Sequence, residues 1–499
     1  MKTVGLSFGS HDTAYATFDG MDLIIHEELE RHSRIKECDG DALDFYKARQ
    51  GSLDGVDTLA HFPHGDFKHY PANWKELEAA SARGELELIE VGHHCAHAAN
   101  AFYSSRFDEA LIITLDGGGW DRVQGELKAS SFTAWVGSGT KINPIKYSWD
   151  FNIGVSWQRL TSQVFGLSGG GPPVGCQAGS VMAMAALGDS RNFMDLDYSI
   201  FNHSFSFSKY STLEEQARYD LAARVQELTE LKVREEISNL LKDNPSKFLC
   251  LSGGVFLNSV LSGKITNWFK LDGVYIPPVP YDSGLSIGCG QYVLHHIHDY
   301  PRVEWDDCAS SYLGRSYEYD DIKSSLESSG VSYKEFVSDD DVLELLDGQK
   351  IVSVFGGRSE SGRRALGNRS ILADPRNATM KDLINEKVKH RQWFRPFAPS
   401  ILRERVSDWF IKDIDSPYMS YVVPFKDDMK NKVPAVVHFD GTARLQTVTE
   451  KQNEWYWNFL NKWEKRSGVP ILLNTSFNDR EPIVETPSDA ISCFSRTDI

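Results

Sequence analysis

Thr3-Val4-Gly5-Leu6-Ser7-Phe8-Gly9-Ser10-His11-Asp12-Thr13-Ala14-Tyr15-Ala16-Thr17-Phe18 stands near the start of the chain. Thr3–Ser7 reads as a strand, Gly9-Ser10-His11-Asp12 as a turn, and Thr13–Phe18 as a returning strand. The arrangement recurs. Ala110–Leu115 reads as a strand ending in Asp116-Gly117-Gly118-Gly119, with Ser130–Val136 as its hairpin partner. Lys247–Leu251 ends in Ser252-Gly253-Gly254 and leads into a helical segment through Asn258 and Leu261. Glycine in such turns tolerates positive φ and lets backbone N–H groups come close to an anion.

A strand–glycine turn–strand unit that occurs twice, then strand–Gly-Gly–helix, predicts an α/β chain. It fits the duplication of actin-like ATPases, and equally two unrelated hairpins and a βα turn. Leu86–Val91 is strand-like, Ser211–Leu241 has helical spacing, and Gly154–Gly188 is too small and glycine-rich to assign. His295–Asp307 is polar, contains Pro301 and reads as a domain connection. Beyond it, Tyr319–Ser328 and Asp339–Leu346 read as helices and Ile351–Phe355 as a buried strand. A chain of 499 residues is too long for one core, and the expected domains are 1–305 and 306–499.

With 41% hydrophobic and 25% charged residues the chain is a folded one, not a disordered one. Its net charge of −17 opposes binding to nucleic acid or anionic membranes unless cations cluster locally. No run approaches the roughly 20 apolar residues of a membrane span. The seven cysteines are scattered without a C-x-x-C, which disfavours a disulfide framework and a cysteine zinc site. With no apolar leader before the first strand, these features point to the cytoplasm.

Three constellations carry chemistry. His93 and His97 are at i and i+4 of an expected helix, so both imidazoles project from one face. Such a pair is often structural. Asp116 and Asp282, in turns at strand ends, favour ligation, and two imidazoles with two carboxylates suit iron, manganese or zinc. His11, in the first turn, is either a general base or a turn residue bonded to the backbone. The third constellation is the segment from Arg358 to Arg403, with a charge of +7 against −24 for the remainder. Packed cations repel one another, so this segment is expected to hold a polyanion, such as a nucleotide with a second phosphorylated molecule. No Walker A loop is present. Near the end, Val469–Asn478 reads as a buried strand that delivers Asn474, Thr475, Ser476 and Asn478 at its C-terminal end.

The motifs in order are His93-His94-x-x-His97-Ala98, Leu115-Asp116-Gly117, Ser252-Gly253-Gly254-Val255-x-x-Asn258, Arg363-Arg364-Ala365-Leu366-Gly367-x-Arg369-Ser370, Phe394-Arg395-Pro396-Phe397-Ala398-Pro399 and Leu473-Asn474-Thr475-Ser476-Phe477-Asn478. Over essentially its whole length the chain resembles the NodU/CmcH-type O-carbamoyltransferases. The resemblance implies an actin-like, TsaD-like N-terminal domain that carries out carbamoyl transfer. It implies a YrdC-like α/β C-terminal domain that forms carbamoyl-adenylate from carbamoyl phosphate and ATP and releases pyrophosphate. The carbamoyl group then passes to an acceptor hydroxyl of a sugar, a natural product or a hydroxymethylated nucleobase.

Carried onto matching positions, the metal ligands are His93, His97, Asp116 and Asp282, with iron first and manganese or zinc as alternatives. His11 is the base. Arg364, Lys389 and Arg395 act in adenylate formation. With Arg444, Asn474 and Ser476 they bind Mg-ATP and carbamoyl phosphate, and Gly253, Gly254 and Asn258 would hold nucleotide in the first domain. Arg444 lies in His438-x-Asp440-Gly441-Thr442-Ala443-Arg444-x-Gln446, which also looks like the family. Two departures bear on the acceptor pocket: Ser180 stands where the family has lysine, and Trp120 brings an aromatic into a normally polar turn. Rival readings are HypF- or threonylcarbamoyl-type transfer to an amine or thiol, and a non-catalytic actin-like nucleotide-binding regulator. Nucleic acid enters only as an acceptor, a membrane is not a partner, and the oligomeric state stays open, a homodimer included.

Overall fold

The computed structural model describes residues 1–65, 69–168, 177–303 and 311–499. The chain divides into two units, Met1–Trp305 and Asp306–Ile499.

In the first unit, β1 (Lys2–Ser7), β2 (Ala14–Asp19), β3 (Asp22–Glu28), β4 (Thr58–His61) and β5 (Glu87–Glu90) form a sheet ordered β3-β2-β1-β4-β5. β2 runs antiparallel to both β1 and β3, while β4 and β5 continue parallel to β1. The second sheet repeats this plan. β6 (Glu109–Val123), β7 (Glu126–Ser138), β8 (Lys141–Ser148), β9 (Phe248–Ser252) and β10 (Gly273–Tyr275) are ordered β10-β9-β6-β7-β8. Again two hairpin connections lie on one side and two parallel strands on the other. The unit is therefore an internal duplication in topology.

The helix His93–Tyr103 packs on the helix Leu285–Gln291, on β6 and on β9. All of its residues are buried, which its alanines at 96, 98, 99 and 101 permit. A helix with no exposed face must satisfy its polar side chains internally. Asn100 does so by donating to the Val279 carbonyl at 2.8 Å.

Two expectations for this unit need correction. The strand at Ala110 does not end at Asp116; β6 runs to Val123, and its register against β7 jumps from Leu115–Phe132 to Gly119–Ser130. The glycines make a bulge that turns Asp116 aside while the ladder resumes. The long helix begins at Glu215, not Ser211, because Ser208–Tyr210 closes as a 3₁₀ turn. The unassigned stretch Gly154–Gly188 takes in most of the helix Ile153–Gln163 and all of the helix Ala178–Ala185, with residues 169–176 outside the described residues. The connection His295–Asp307 is irregular from Asp299 to Val303, and its remainder lies outside the described residues.

The second unit holds one sheet ordered β11-β12-β16-β13-β15-β14, from β11 (Val352–Phe355), β12 (Arg369–Ala373), β13 (Ala398–Leu402), β14 (Tyr421–Pro424), β15 (Thr442–Val448) and β16 (Ile471–Ser476). Only β13 and β15 pair in parallel. The strand at Ile351–Phe355 is a half-buried edge, not a buried strand. Alternate strand residues feed two cores. Ile371, Ile401 and Leu473 pack on one face with the helix Met380–Lys387. Leu372, Leu402 and Leu472 pack on the other with Phe459, Leu460 and Trp463 of the helix Glu454–Ser467.

Candidate functional site

In the first unit the His93–Tyr103 helix starts at a carboxylate from β6. Asp121 accepts from the backbone N–H groups of His94 and Cys95 at 3.2 and 3.1 Å. Gly92 allows this approach, since a Cβ there would fall 2.2 Å from an Asp121 oxygen. Gly119 leaves room for the His93 ring, which a Cβ would meet at 2.1 Å. With the helix start so placed, His93 and His97 face Asp116 and Asp282. One ligand atom from each of the four lies within 4.8 Å of every other, and it is the one such group among the described residues.

His97 Nε2 lies 3.6 Å from Asp116 Oδ2 and 3.4 Å from Asp282 Oδ1, while His93 Nε2 lies 3.3 Å from Asp116 Oδ2. The other Asp116 oxygen accepts from the Gly254 N–H at 3.1 Å. Ser252 Oγ donates to the Pro280 carbonyl at 3.1 Å and lies 3.4 Å from His97 Nδ1. A hydroxyl has one proton, so toward His97 the serine accepts and Nδ1 carries the N–H. Nε2 is then buried and faces two carboxylates, and among the described residues it meets no other partner. Such a site needs positive charge between the ring and the carboxylates, either a proton on Nε2 or a bound cation. Burial alone would lower the His97 pKa, yet Asp116 and Asp282 push it up to about 9. The donor set thus fits a divalent ion held by two imidazoles and two carboxylates.

His94 faces away. Its Nδ1 lies 2.6 Å from Thr114 Oγ1 and its Nε2 2.8 Å from the Ser130 carbonyl, so it is a structural histidine. His11 pairs through Nδ1 with Asp12 at 2.8 Å, and its Nε2 is 3.7 Å from Asp282. Burial would depress it, but Asp12 first, then Asp282 and Asp116, push it up to about 10. Among these carboxylates it holds its proton well above neutral pH, and it becomes a base only when a cation offsets them. Gly253 sits at φ +102°, Gly254 serves Asp116, and Asn258 caps the helix Ser259–Trp268 and donates to Gln226 at 2.7 Å. Ser180 is buried in the helix Ala178–Ala185, 3.4 Å from Gln177 Oε1.

In the second unit the basic segment sorts into two groups. Arg369 is fully buried, bonds the Gly356 and Asn368 carbonyls at 2.7 and 3.0 Å, and lies over the Phe355 ring. Arg358 bonds the Leu313 and Gly314 carbonyls. Arg376 pairs with Asp374 and Asp347, and Arg403 with Asp413 and Asp415. These four arginines are structural. Lys389 is also buried, and its ammonium bonds the Asn478 carbonyl and Oδ1 at 2.8 and 2.7 Å and the Ser476 carbonyl, fixing the turn after β16.

The second group is Arg364, Arg395 and Arg444, with Arg391 beside them, whose Nε donates to Asn385 Oδ1 at 2.7 Å and whose guanidinium lies over the Phe397 ring. Burial, then the charges of Arg364, Arg395 and Arg391, hold the Arg444 guanidinium well below the usual arginine range. Arg391 and Arg395 are depressed by burial as well. Asn474 is buried, donates to the Ala365 carbonyl and to Gln446 Oε1 at 3.1 and 2.7 Å, and its Oδ1 has no partner among the described residues. Crowded guanidiniums near this amide oxygen have the chemistry to receive an anion that also carries a hydrogen-bond donor. Arg391 was not singled out in the sequence, since nothing in its spacing separates it from the structural arginines.

Residues 198–290 match the family model for the carbamoyltransferase N-terminus, and residues 343–499 that for the carbamoyltransferase C-terminus. The nodulation protein NolO of Bradyrhizobium diazoefficiens is 33% identical over 445 residues, covering 82% of this chain and 77% of that protein. The chain belongs to the carbamoyltransferase family. The nodulation protein NolNO of Sinorhizobium fredii is 35% identical over 441 residues, with 82% of this chain spanning 62% of that longer protein. Among solved structures, HypF of T. kodakarensis is 13% identical, covers 60% of this chain and 48% of its own, and superposes with a TM-score of 0.40. The family models and the NolO relative make the chain a carbamoyltransferase enzyme, and its own sheets and helices make the fold mixed α/β. No helix among the described residues is long and apolar enough to cross a membrane, and the described cysteines are free.

Proposed function

We propose that this carbamoyltransferase is an ATP-dependent O-carbamoyltransferase whose two units divide the chemistry. The observation that carries this reading is the crowding of Arg364, Arg395 and Arg391 around Arg444, with Asn474 bonded to the Ala365 carbonyl next to Arg364. One small phosphate would not offset four guanidiniums, whereas carbamoyl phosphate together with Mg-ATP would. Carbamoyl phosphate loses phosphate to water, and the carbamate oxygen attacks the α-phosphorus of ATP, which expels pyrophosphate and leaves carbamoyl-adenylate. Arg364, Arg395 and Arg444 hold the phosphate oxygens in line and offset the charge that develops. Asn474 and Ser476 orient the carbamoyl end, and Lys389 keeps their turn in place.

Transfer to an acceptor hydroxyl belongs to the first unit. A divalent ion held by His93, His97, Asp116 and Asp282, iron first with manganese or zinc as alternatives, would polarise the carbamoyl carbonyl or the acceptor oxygen. His11 takes the hydroxyl proton on Nε2, with Nδ1 held by Asp12. The acceptor oxygen bonds to the carbamoyl carbon, and AMP leaves. The test is pyrophosphate release by the purified chain. It should require ATP and carbamoyl phosphate together, and release that ignores carbamoyl phosphate would overturn the reading.

A further inference from the structure

One buried acceptor beside the arginine cluster has no role in the scheme above. His438 lies just before β15, next to Arg444 in the sequence motif and in space. Its Nδ1 is 3.3 Å from Thr442 Oγ1. That hydroxyl donates to the Asp440 carboxylate at 2.6 Å, so toward the histidine it can only accept. Nδ1 therefore carries the proton and Nε2 is a bare lone pair. Nε2 is shielded from solvent and has no hydrogen-bond partner among the described residues. The groups that face the ring are Thr442, Asp440, Arg444 and Lys381. Burial, with Arg444 and Lys381, keeps the imidazole neutral by lowering its pKa to about 4, against the pull of Asp440.

A buried acceptor without a donor is costly, and native structures rarely leave one unless a ligand or water meets it. Around His438 the site is otherwise rich in donors, which phosphate oxygens can satisfy. The bare nitrogen calls for the opposite group. We propose that His438 is a ligand-binding residue of the arginine-lined site, its Nε2 accepting a hydrogen bond from a planar amino group of a substrate. This rests on the function proposed above, whose two substrates each carry one such group: the carbamoyl NH2 and the exocyclic amine of adenine. The neighbouring surface suits a flat ring as well. Phe439 is exposed, Lys381 Nζ lies 4.8 Å over its ring, and Trp393 meets it edge-to-face at 5.6 Å.

The experiment compares wild type, His438→Leu and His438→Gln by equilibrium binding. Each is titrated with ATP and purine riboside triphosphate, which lacks the amine, and with carbamoyl phosphate and acetyl phosphate. Wild type should prefer one amino-bearing ligand over its partner by roughly tenfold to a hundredfold, the cost of leaving a buried acceptor unmet. His438→Leu should erase that preference, and His438→Gln, whose amide oxygen still accepts, should keep part of it. Loss in the nucleotide pair assigns the adenine amine; loss in the second pair assigns the carbamoyl group. An unchanged preference in a folded His438→Leu, or no preference in wild type, overturns the proposal. Binding is read without turnover, so a wild type that discriminates yet releases no pyrophosphate would sink the proposed reaction and leave His438 its role.

Discussion

Ser252 decides which nitrogen of His97 faces the carboxylates. Its hydroxyl proton goes to the Pro280 carbonyl, so its lone pair holds the His97 Nδ1–H and turns Nε2 toward Asp116 and Asp282. Partners of this kind change metal affinity by about 10–100-fold when removed. Ser252→Ala should therefore weaken binding of an added divalent ion by that factor while leaving the fold intact. Titration with a chelator of known affinity would measure it, and wild-type affinity in Ser252→Ala would refute the tautomer argument.

His61 gives a pH-dependent test at the same scale. It is buried against Trp74, with ring centroids 4.5 Å apart, and burial lowers its pKa to about 4 despite the Phe62 carbonyl and Glu90. The unfolded chain takes up a proton near its ordinary pKa of about 6.5, before the folded chain does. Stability at neutral pH is thus lost as pH falls from about 6.5 to about 4, by at most about 3 kcal/mol for this group. His61→Phe keeps an aromatic ring in the same nest without the titration. Its thermal midpoint should fall less than that of wild type between pH 7 and pH 4.5; parallel curves would show that His61 does not contribute.

At the scale of elements, the sequence exposed the hairpins and hid the bulge. Thr3–Ser7 and Thr13–Phe18 were legible because turn residues separate two runs of strand formers, and β1 and β2 pair there. The same reasoning placed a strand end at Asp116, since three glycines look like a break. β6 instead continues because β7 supplies a long partner, and pairing across the hairpin overrides local propensity. His93 and His97 could be matched by helical spacing alone. Asp121 could not, because its function as the cap of that helix depends on the register of β6 after the bulge. The basic segment was legible as a block, but its division was not. Only folded distances tell that Arg369 spends its donors on backbone carbonyls while Arg444 lies among like charges.

At the scale of the whole molecule, the chain has a net charge of −17, and its excess of cations is confined to one segment of the second unit. The group fit for a divalent ion belongs to the first unit. If adenylate formation belongs to the arginines and transfer to the four ligands, single substitutions should separate the two half-reactions. Arg395→Ala removes a charge-assisted contact to phosphate, worth about 1.5–3 kcal/mol. Pyrophosphate release should drop roughly tenfold to a hundredfold, since about 1.4 kcal/mol is a factor of ten. Supplied with preformed carbamoyl-adenylate, the same variant should still carbamoylate an acceptor that wild type accepts. His97→Ala should behave oppositely, releasing pyrophosphate at the wild-type rate while losing its ion and the transfer step. Both half-reactions are readable on one preparation, by pyrophosphate assay and by mass spectrometry of the acceptor. If Arg395→Ala instead released pyrophosphate normally and failed at transfer, Arg395 would belong to the acceptor step, and the division of chemistry between the units would be wrong.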